Sequence, residues 1–302
     1  MCGIGGIFMG EGQADLTALS TLFEGLSDRG KHACGFSYRW NDSDKDLVWK
    51  AAISSIEAVK QGILASKIGS NLSYALLHTR YTTQGSTAYN GNNHPITGHN
   101  IILTHNGVIS NDDRIFETLG VNRLHQVDSE CLNAALSHES PSWLIDNIHG
   151  AASIAWVDIT QNQHEVHLLT NGRNPLVIGR TVEGHVVWAS NKYHLEDSFN
   201  LAATFNAIPF KQYTISKGAG EPMITSKFIS NKRADPRVIG RFSHVASYGD
   251  VSPSSRATPT KKQKKPKKAT SKAKKGNKFI HAGFVYDEDL KCWRKARITD
   301  WK

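Results

Sequence analysis

Residues 3–8 alternate small and apolar side chains and predict a short buried strand. The next pattern has a different period. Leu16, Leu19, Leu22, Phe23 and Leu26 recur at helical spacing across residues 14–28, and Arg29-Gly30 marks the stop. Residues 35–40 and 47–51 then alternate on either side of a polar Asn/Asp/Ser turn, which predicts a hairpin. A second helix is expected over 55–64. Strands are expected at 72–79 and 100–109, separated by a Gly/Asn/Thr-rich loop over 82–99. Another helix starts at Asp128 and runs to Ala135, and residues 142–148 add a turn or two. From Ala151 the period becomes two, giving strand candidates at 152–158, 164–170, 175–180 and 185–190. Many strands with two sets of helices predict an α+β fold.

Past Phe228 the pattern weakens. Residues 252–278 hold ten lysines, Arg256 and no acid, so this segment carries +11 of a chain whose net charge is +9, and the rest sums to −2. Such a segment cannot bury a core and is expected to be disordered. Residues 279–302 change again. Phe279, Phe284, Tyr286, Trp293 and Trp301 predict a sticky aromatic motif, with one hairpin over 283–293. The expected organisation is a domain over 2–228, an irregular connection over 229–251, a lysine-rich linker over 252–278 and a short aromatic motif over 279–302.

Composition narrows the function classes. Hydrophobic residues make up 39% of the 302, enough for a sizeable core. No apolar run approaches the ~20 residues of a membrane span. The start of the chain lacks the basic and apolar regions of a secretory signal, so a cytoplasmic, reducing location is expected. The four cysteines have no metal-ligand spacing, and neither metal nor cofactor is expected.

Five short segments carry candidate chemistry. Cys2 follows Met1, and trimming of Met1 would leave a thiol and an α-amine on one residue. The amine, with an ordinary pKa of ~7.7–8.0, can serve as base for its own thiol. Alone, a buried cysteine starting a strand is the better reading. Arg80, in His78-Thr-Arg-Tyr-Thr-Thr-Gln-Gly85, leaves a strand and can fork onto a carboxylate, or be a surface arginine. Asn106 and Gly107 form either a tight turn or the two donors of an oxyanion hole. Asp128 is either a helix cap or a carboxylate for a substrate ammonium. Arg29-Gly30 is at least a helix stop.

The order of these segments resembles the glutaminase domain of class II glutamine amidotransferases, which are N-terminal-nucleophile hydrolases. The branch it most resembles is that of glucosamine-6-phosphate synthase. The matching residues run from Cys2-Gly-Ile through Arg29-Gly30, Gly35, His78–Gly85, Asn93-His-Pro95, His105-Asn-Gly-Val-Ile109 and Asp128-Ser-Glu130 to Ala189-Ser190. The resemblance implies a four-layer αββα sandwich carrying a disordered basic extension. It implies that Cys2 attacks the side-chain amide of glutamine and releases ammonia, with Asn106 and Gly107 holding the oxyanion. Arg80 would take the α-carboxylate and Asp128 the α-ammonium. Thr83, Gln84 and Gly85 would line the loop over glutamine, and Arg29 would also face the substrate.

Two positions depart from that pattern. Arg29-Gly is followed by Lys31-His-Ala rather than an aspartate-bearing segment, and Tyr81 stands where the branch has tryptophan. Too few residues follow for a synthase domain, so a separate ammonia-accepting synthetase is the expected partner. The alternatives are an amidase acting on another γ-glutamyl amide, or an inactive interaction module. The lysines from Lys261 to Lys278 add nucleic acid as a candidate partner through counterion release, against the plainer reading of a solvated linker.

Overall fold

The computed structural model describes residues 1–160 and 164–230, together with the backbone of 280–281, 284–287 and 292–295. The elements along the chain begin with β1 (Gly3–Phe8), α1 (Leu16–Gly25), β2 (Ala33–Trp40), β3 (Leu47–Ala51), α2 (Ser55–Lys60), α3 (Ile63–Ile68) and β4 (Leu72–Arg80). They continue with β5 (Ile96–Gly98), β6 (Ile101–Ile109), α4 (Asp112–Leu119), α5 (Glu130–His138), α6 (Pro141–Asn147), β7 (Gly150–Asp158) and β8 (Glu165–Thr170). The last of this unit are β9 (Val177–Thr181), β10 (Val186–Ala189), α7 (Lys192–Glu196), β11 (Leu201–Asn206), β12 (Lys211–Ser216) and β13 (Met223–Phe228).

Two antiparallel sheets face each other. One has seven strands in the order β11-β9-β10-β1-β4-β2-β3, and the other six in the order β13-β12-β8-β7-β6-β5. Strand alternation decides which layer each side chain enters. In β1, Ile4 and Phe8 join Tyr74, Leu76, Ala155, Val157, Leu168 and Ile215 in the core between the sheets. Ile7 points the other way, onto Leu19, Leu22 and Phe23 of α1 and onto Ala58, Leu64 and Ile68 of α2 and α3. On the far side, Ile154 and Trp156 of β7 pack on Ile115 and Phe116 of α4, Leu132 and Ala135 of α5, and Leu144 of α6. Three cores in series make the αββα sandwich. At ~1.5–3 kcal/mol for each fully buried large side chain, these layers supply the dominant stabilisation.

The structure revises several boundaries. The helix expected over 55–64 is two, because Gly62 takes a left-handed φ of +68° between α2 and α3. The helix expected to 28 is α-helical only to Gly25, and residues Leu26–Asp28 tighten into a 3-10 turn. The loop over 82–99 contains β5 and a 3-10 turn over Asn90–Asn92. The helix expected from Asp128 begins at Glu130. Elements α4, α7 and β11 to β13 add to the expected set. In β13, most residues are exposed, and it forms the sheet edge, so no buried alternation marks it.

The chain divides into two units, Met1–Ser247 and Tyr248–Lys302. In the second, β14 (Ile280–His281), β15 (Phe284–Asp287) and β16 (Cys292–Lys295) form an antiparallel sheet with Tyr286 opposite Trp293. The expected hairpin is present in this backbone. The irregular connection beyond residue 230 and the disorder expected over 252–278 fall outside the described residues.

Candidate active site

Cys2 immediately precedes β1, a central strand. Register brings the end of β4 beside it: Gly3 lies opposite Thr79, so Arg80 flanks Cys2 at the sheet end. The second sheet meets this point through β6. His78 Nε2 donates to the His105 carbonyl at 3.0 Å across the gap between the sheets. His105 is itself fixed, since Nε2 donates to the Ala151 carbonyl at 3.1 Å and Nδ1 accepts from the Ser129 hydroxyl at 2.8 Å. That pins the backbone of β6 just ahead of Asn106 and Gly107.

Asn106 is fully buried. With its amide turned to satisfy both neighbours, Nδ2 donates to the Cys2 carbonyl at 3.0 Å and Oδ1 accepts from Arg29 Nη2 at 3.3 Å. Its own carbonyl accepts from Asn174 Nδ2 at 2.9 Å. Gly107 is required by packing. A Cβ there would lie 1.8 Å from the Ala151 carbonyl oxygen, so any other residue would push β6 and β7 apart.

Arg29 is drawn into the same point. Its Nε donates to the Cys2 carbonyl at 2.9 Å, and Nη1 donates to the favoured orientation of Asn191 at 3.0 Å. Its donors therefore meet the protein's own acceptors: the Cys2 backbone and the side chains of Asn106 and Asn191.

Arg80 is buried, and its guanidinium reaches into the following loop. Nη1 donates to Asn93 Oδ1 at 2.8 Å, while Nη2 donates to the carbonyls of Gln84 and Gly85, the latter at 3.0 Å. Asp128 is buried too, and it does not cap α5. Its Oδ2 accepts from the Ile109 amide at 2.6 Å, which ties the start of the helix to the end of β6. The next acid in the motif, Glu130, accepts from the amides of Leu124 and His125, both at 2.6 Å, and so shapes the loop before α5. Thr83 and Gln84 are exposed on the loop. Gly85 takes a left-handed φ of +67° against Asn92 and Gln126.

Electrostatics link these groups. Burial pushes the Cys2 thiol above its ordinary pKa. Contact with the Tyr81 backbone, the ammonium of the untrimmed Met1 and Arg80 pull it down, and Asp128 pushes it up. Burial also lowers Arg80, against the pull of Cys2 and Asp128. A thiol held protonated in this way needs a base to take its proton at the moment of attack. The Cys2 Sγ lies 3.7 Å from the Tyr81 carbonyl.

The two departures noted in the sequence touch each other. The rings of His32 and Tyr81 lie 4.8 Å apart, and His32 Nδ1 accepts from the Thr82 amide at 3.0 Å. His32, Lys50, Asn174 and Asn191 also contact this region, and no sequence motif singles them out. Asn174 precedes Pro175 and reads locally as a turn residue, and no local signal marks a bond to a residue 68 positions away. Among the described residues, no group of three or more His, Cys, Asp or Glu is placed to hold a metal. No helix among them is long and apolar enough to cross a membrane.

A two-sheet αββα sandwich with a cysteine at the head of a central strand has the fold of N-terminal-nucleophile hydrolases. Residues 78–197 match the family described as glutamine amidotransferase domain. It is similar to glutamine–fructose-6-phosphate aminotransferase (isomerizing) of Acinetobacter baylyi, at 26% identity over 194 residues, covering 59% of this chain and 30% of that one. The same enzyme of Pseudomonas putida is 27% identical over 195 residues with the same coverage. The chain thus spans under a third of the length of these curated relatives. Among solved structures, glutamine phosphoribosylpyrophosphate amidotransferase from B. subtilis shares the fold with a TM-score of 0.59 at 20% identity, over 76% of this chain and 50% of that one.

Proposed function

We propose that the protein, once Met1 is removed, hydrolyses the side-chain amide of glutamine through a Cys2 thioester and passes the ammonia to an acceptor on a separate synthetase. The observation that carries this reading is that Arg80 flanks Cys2 on the neighbouring strand, Asn106 of β6 bonds to the Cys2 carbonyl, and the charges of Arg80 and Asp128 both act on the Cys2 thiol.

The chemistry follows from the groups present. The Cys2 thiol gives its proton to the α-amine, and Sγ bonds to the amide carbon of glutamine. The carbonyl oxygen takes the electron pair. It is held by the Gly107 N–H and by Asn106 Nδ2, which turns to it from the Cys2 carbonyl. Collapse of this adduct breaks the C–N bond, and the protonated amine delivers its proton to the leaving nitrogen, which departs as ammonia. Water then cleaves the thioester to glutamate and restores the thiol. Arg80 holds the α-carboxylate and Asp128 the α-ammonium. Thr83, Gln84 and Gly85 line the loop over the substrate, and Arg29 acts from behind the nucleophile.

Enzymes named as aminotransferases are matched over 30% of their length, so their acceptor chemistry lies outside the matched region and the separate acceptor is part of this proposal. The test is ammonia release from glutamine by protein whose trimmed N-terminus is verified by mass spectrometry. No release from glutamine, with turnover of another γ-glutamyl amide, transfers the assignment to an amidase. No release from either leaves only a binding role.

A further inference from the structure

We propose that Lys50 and Asn93 are positioning residues that set the Arg80 guanidinium for its carboxylate and so make the site selective for amides with an α-carboxylate. This rests on the substrate role given to Arg80 above.

Lys50 lies on β3, an edge strand, with a backbone position opposite Gly35. Its Nζ leaves the sheet to donate to the carbonyls of Asn93 at 2.8 Å and Pro95 at 2.9 Å. Its own carbonyl accepts from Asn90 Nδ2 at 2.9 Å. One lysine thus holds both ends of the segment 90–95. Within it, Asn93 is fully buried and its amide has only one workable orientation. Nδ2 donates to the Thr87 carbonyl at 2.8 Å and to Asn90 Oδ1 at 3.1 Å, which leaves Oδ1 facing Arg80 Nη1 at 2.8 Å. Lys50 fixes the backbone of Asn93, and Asn93 fixes the guanidinium.

The shape of a guanidinium sharpens this. Its five N–H groups lie in one rigid plane, and a carboxylate is best held by two parallel bonds from one edge. Both edges that present two N–H groups include Nη2. In this structure Nη2 donates to the carbonyls of Gln84 and Gly85. A bidentate carboxylate must therefore displace one of those loop carbonyls. The bond from Nη1 to Asn93 can persist throughout. Asn93 is thus the fixed point about which Arg80 exchanges its loop contacts for substrate, and Lys50 keeps that point still.

The test uses the full chain with Met1 removed. Ammonia release is measured from glutamine and from 4-aminobutanamide, which is glutamine without its α-carboxylate. Lys50→Met and Asn93→Ala should raise KM for glutamine about tenfold, the scale of one lost hydrogen bond to a charged group. Their kcat should stay within about twofold, and kcat/KM for 4-aminobutanamide should be unchanged. Lys50→Arg should restore the glutamine KM, since it returns donors to the same carbonyls. The proposal is overturned if the folded variants keep the wild-type KM, or if they lose kcat/KM equally on both substrates. Arg80→Ala separates the layers. If it raises KM while Lys50→Met and Asn93→Ala are silent, only the positioning role fails. If Arg80→Ala leaves KM unchanged in an active enzyme, or if the wild type releases no ammonia, the reading of Arg80 fails and this proposal with it.

Discussion

Arg29 Nε donates to the carbonyl of Cys2 at 2.9 Å, so the candidate nucleophile is held by its backbone and its thiol stays free of that grip. The same guanidinium reaches Asn106, the proposed oxyanion donor, and Asn191. Three acceptors in three directions suit a planar fork and do not suit an ammonium. Arg29→Lys and Arg29→Ala should both lower kcat, by about 10- to 100-fold, with little change in KM, because a small displacement of the nucleophile is costly. Steady-state kinetics decide it. A rise in KM alone would return Arg29 to the substrate-binding role suggested by the sequence.

Cys2 is the nucleophile only if its nitrogen is an amine. Cys2→Ala should release no ammonia, and protein retaining Met1 should be equally inactive although folded. Comparing blocked and trimmed protein by mass spectrometry and ammonia assay checks both. Full activity in either would end the thioester mechanism.

Asn106 lies on β6 and Asp128 bonds to the end of the same strand, and the two have different tasks. Asn106→Ala should slow turnover by the ~10²–10³ typical of a lost oxyanion donor while KM changes little. Asp128→Ala should mainly raise KM. It also removes the bond to the Ile109 amide, so a modest fall in Tm is expected alongside. Kinetics that assign the KM effect to Asn106 would reverse the two roles.

The central strands were legible because their alternation is a local property. Residues 3–8 were read at the bounds of β1, and the pairing of 35–40 with 47–51 was read from the polar turn between them. The helix α4 was missed although its signals are present, with Asp112 and Asp113 in the first turn and Gly120 at its end in a left-handed conformation. Candidate chemistry was legible where a motif is contiguous, as in His105-Asn-Gly107. The supports were not. Lys50 sits 43 positions from Asn93, and Asn174 sits 68 from Asn106. Such partners are brought together by sheet register and loop path, which single-chain periodicity does not encode.

Lys50 also has a signature in stability. Burial lowers its ammonium from the ordinary 10.5 to about 8. Between those values the unfolded chain holds a proton that the folded chain has lost. Raising the pH through that window therefore favours the folded state. Below pH 8 both states are protonated, so the full cost of the buried ammonium is present and stability no longer changes with pH through this group. The difference in Tm between wild type and Lys50→Met should be flat from pH 6.5 to 7.5 and should grow in favour of wild type from about 8 to 10. A flat difference across the whole range would mean that Lys50 keeps an ordinary ammonium.

The lysine-rich segment should separate from the chemistry. Every group placed in the proposed mechanism lies before residue 130, and among the described residues of this unit the last strand ends at Phe228, with Ile229 packed on the outer helical core. Protein ending at residue 251 should therefore hydrolyse glutamine like the whole chain. Binding to polyanions should behave otherwise. Residues 252–278 concentrate a charge of +11, whereas the remainder is close to neutral. Each neutralised phosphate releases a counterion, so affinity for DNA or RNA should fall steeply as salt rises, and the fall should disappear with the segment. The aromatic residues beyond 278 predict contacts that are apolar and largely indifferent to salt. A cut at 278 should thus keep polyanion binding while losing any salt-resistant association, and a cut at 251 should lose both. Salt titrations of the whole chain and the two truncations, with ammonia release assayed in parallel, resolve the three functions. If the whole chain has no affinity for DNA or RNA at low salt, the lysines serve as a solvated linker. If the cut at 251 abolishes hydrolysis, the domain extends past its expected boundary.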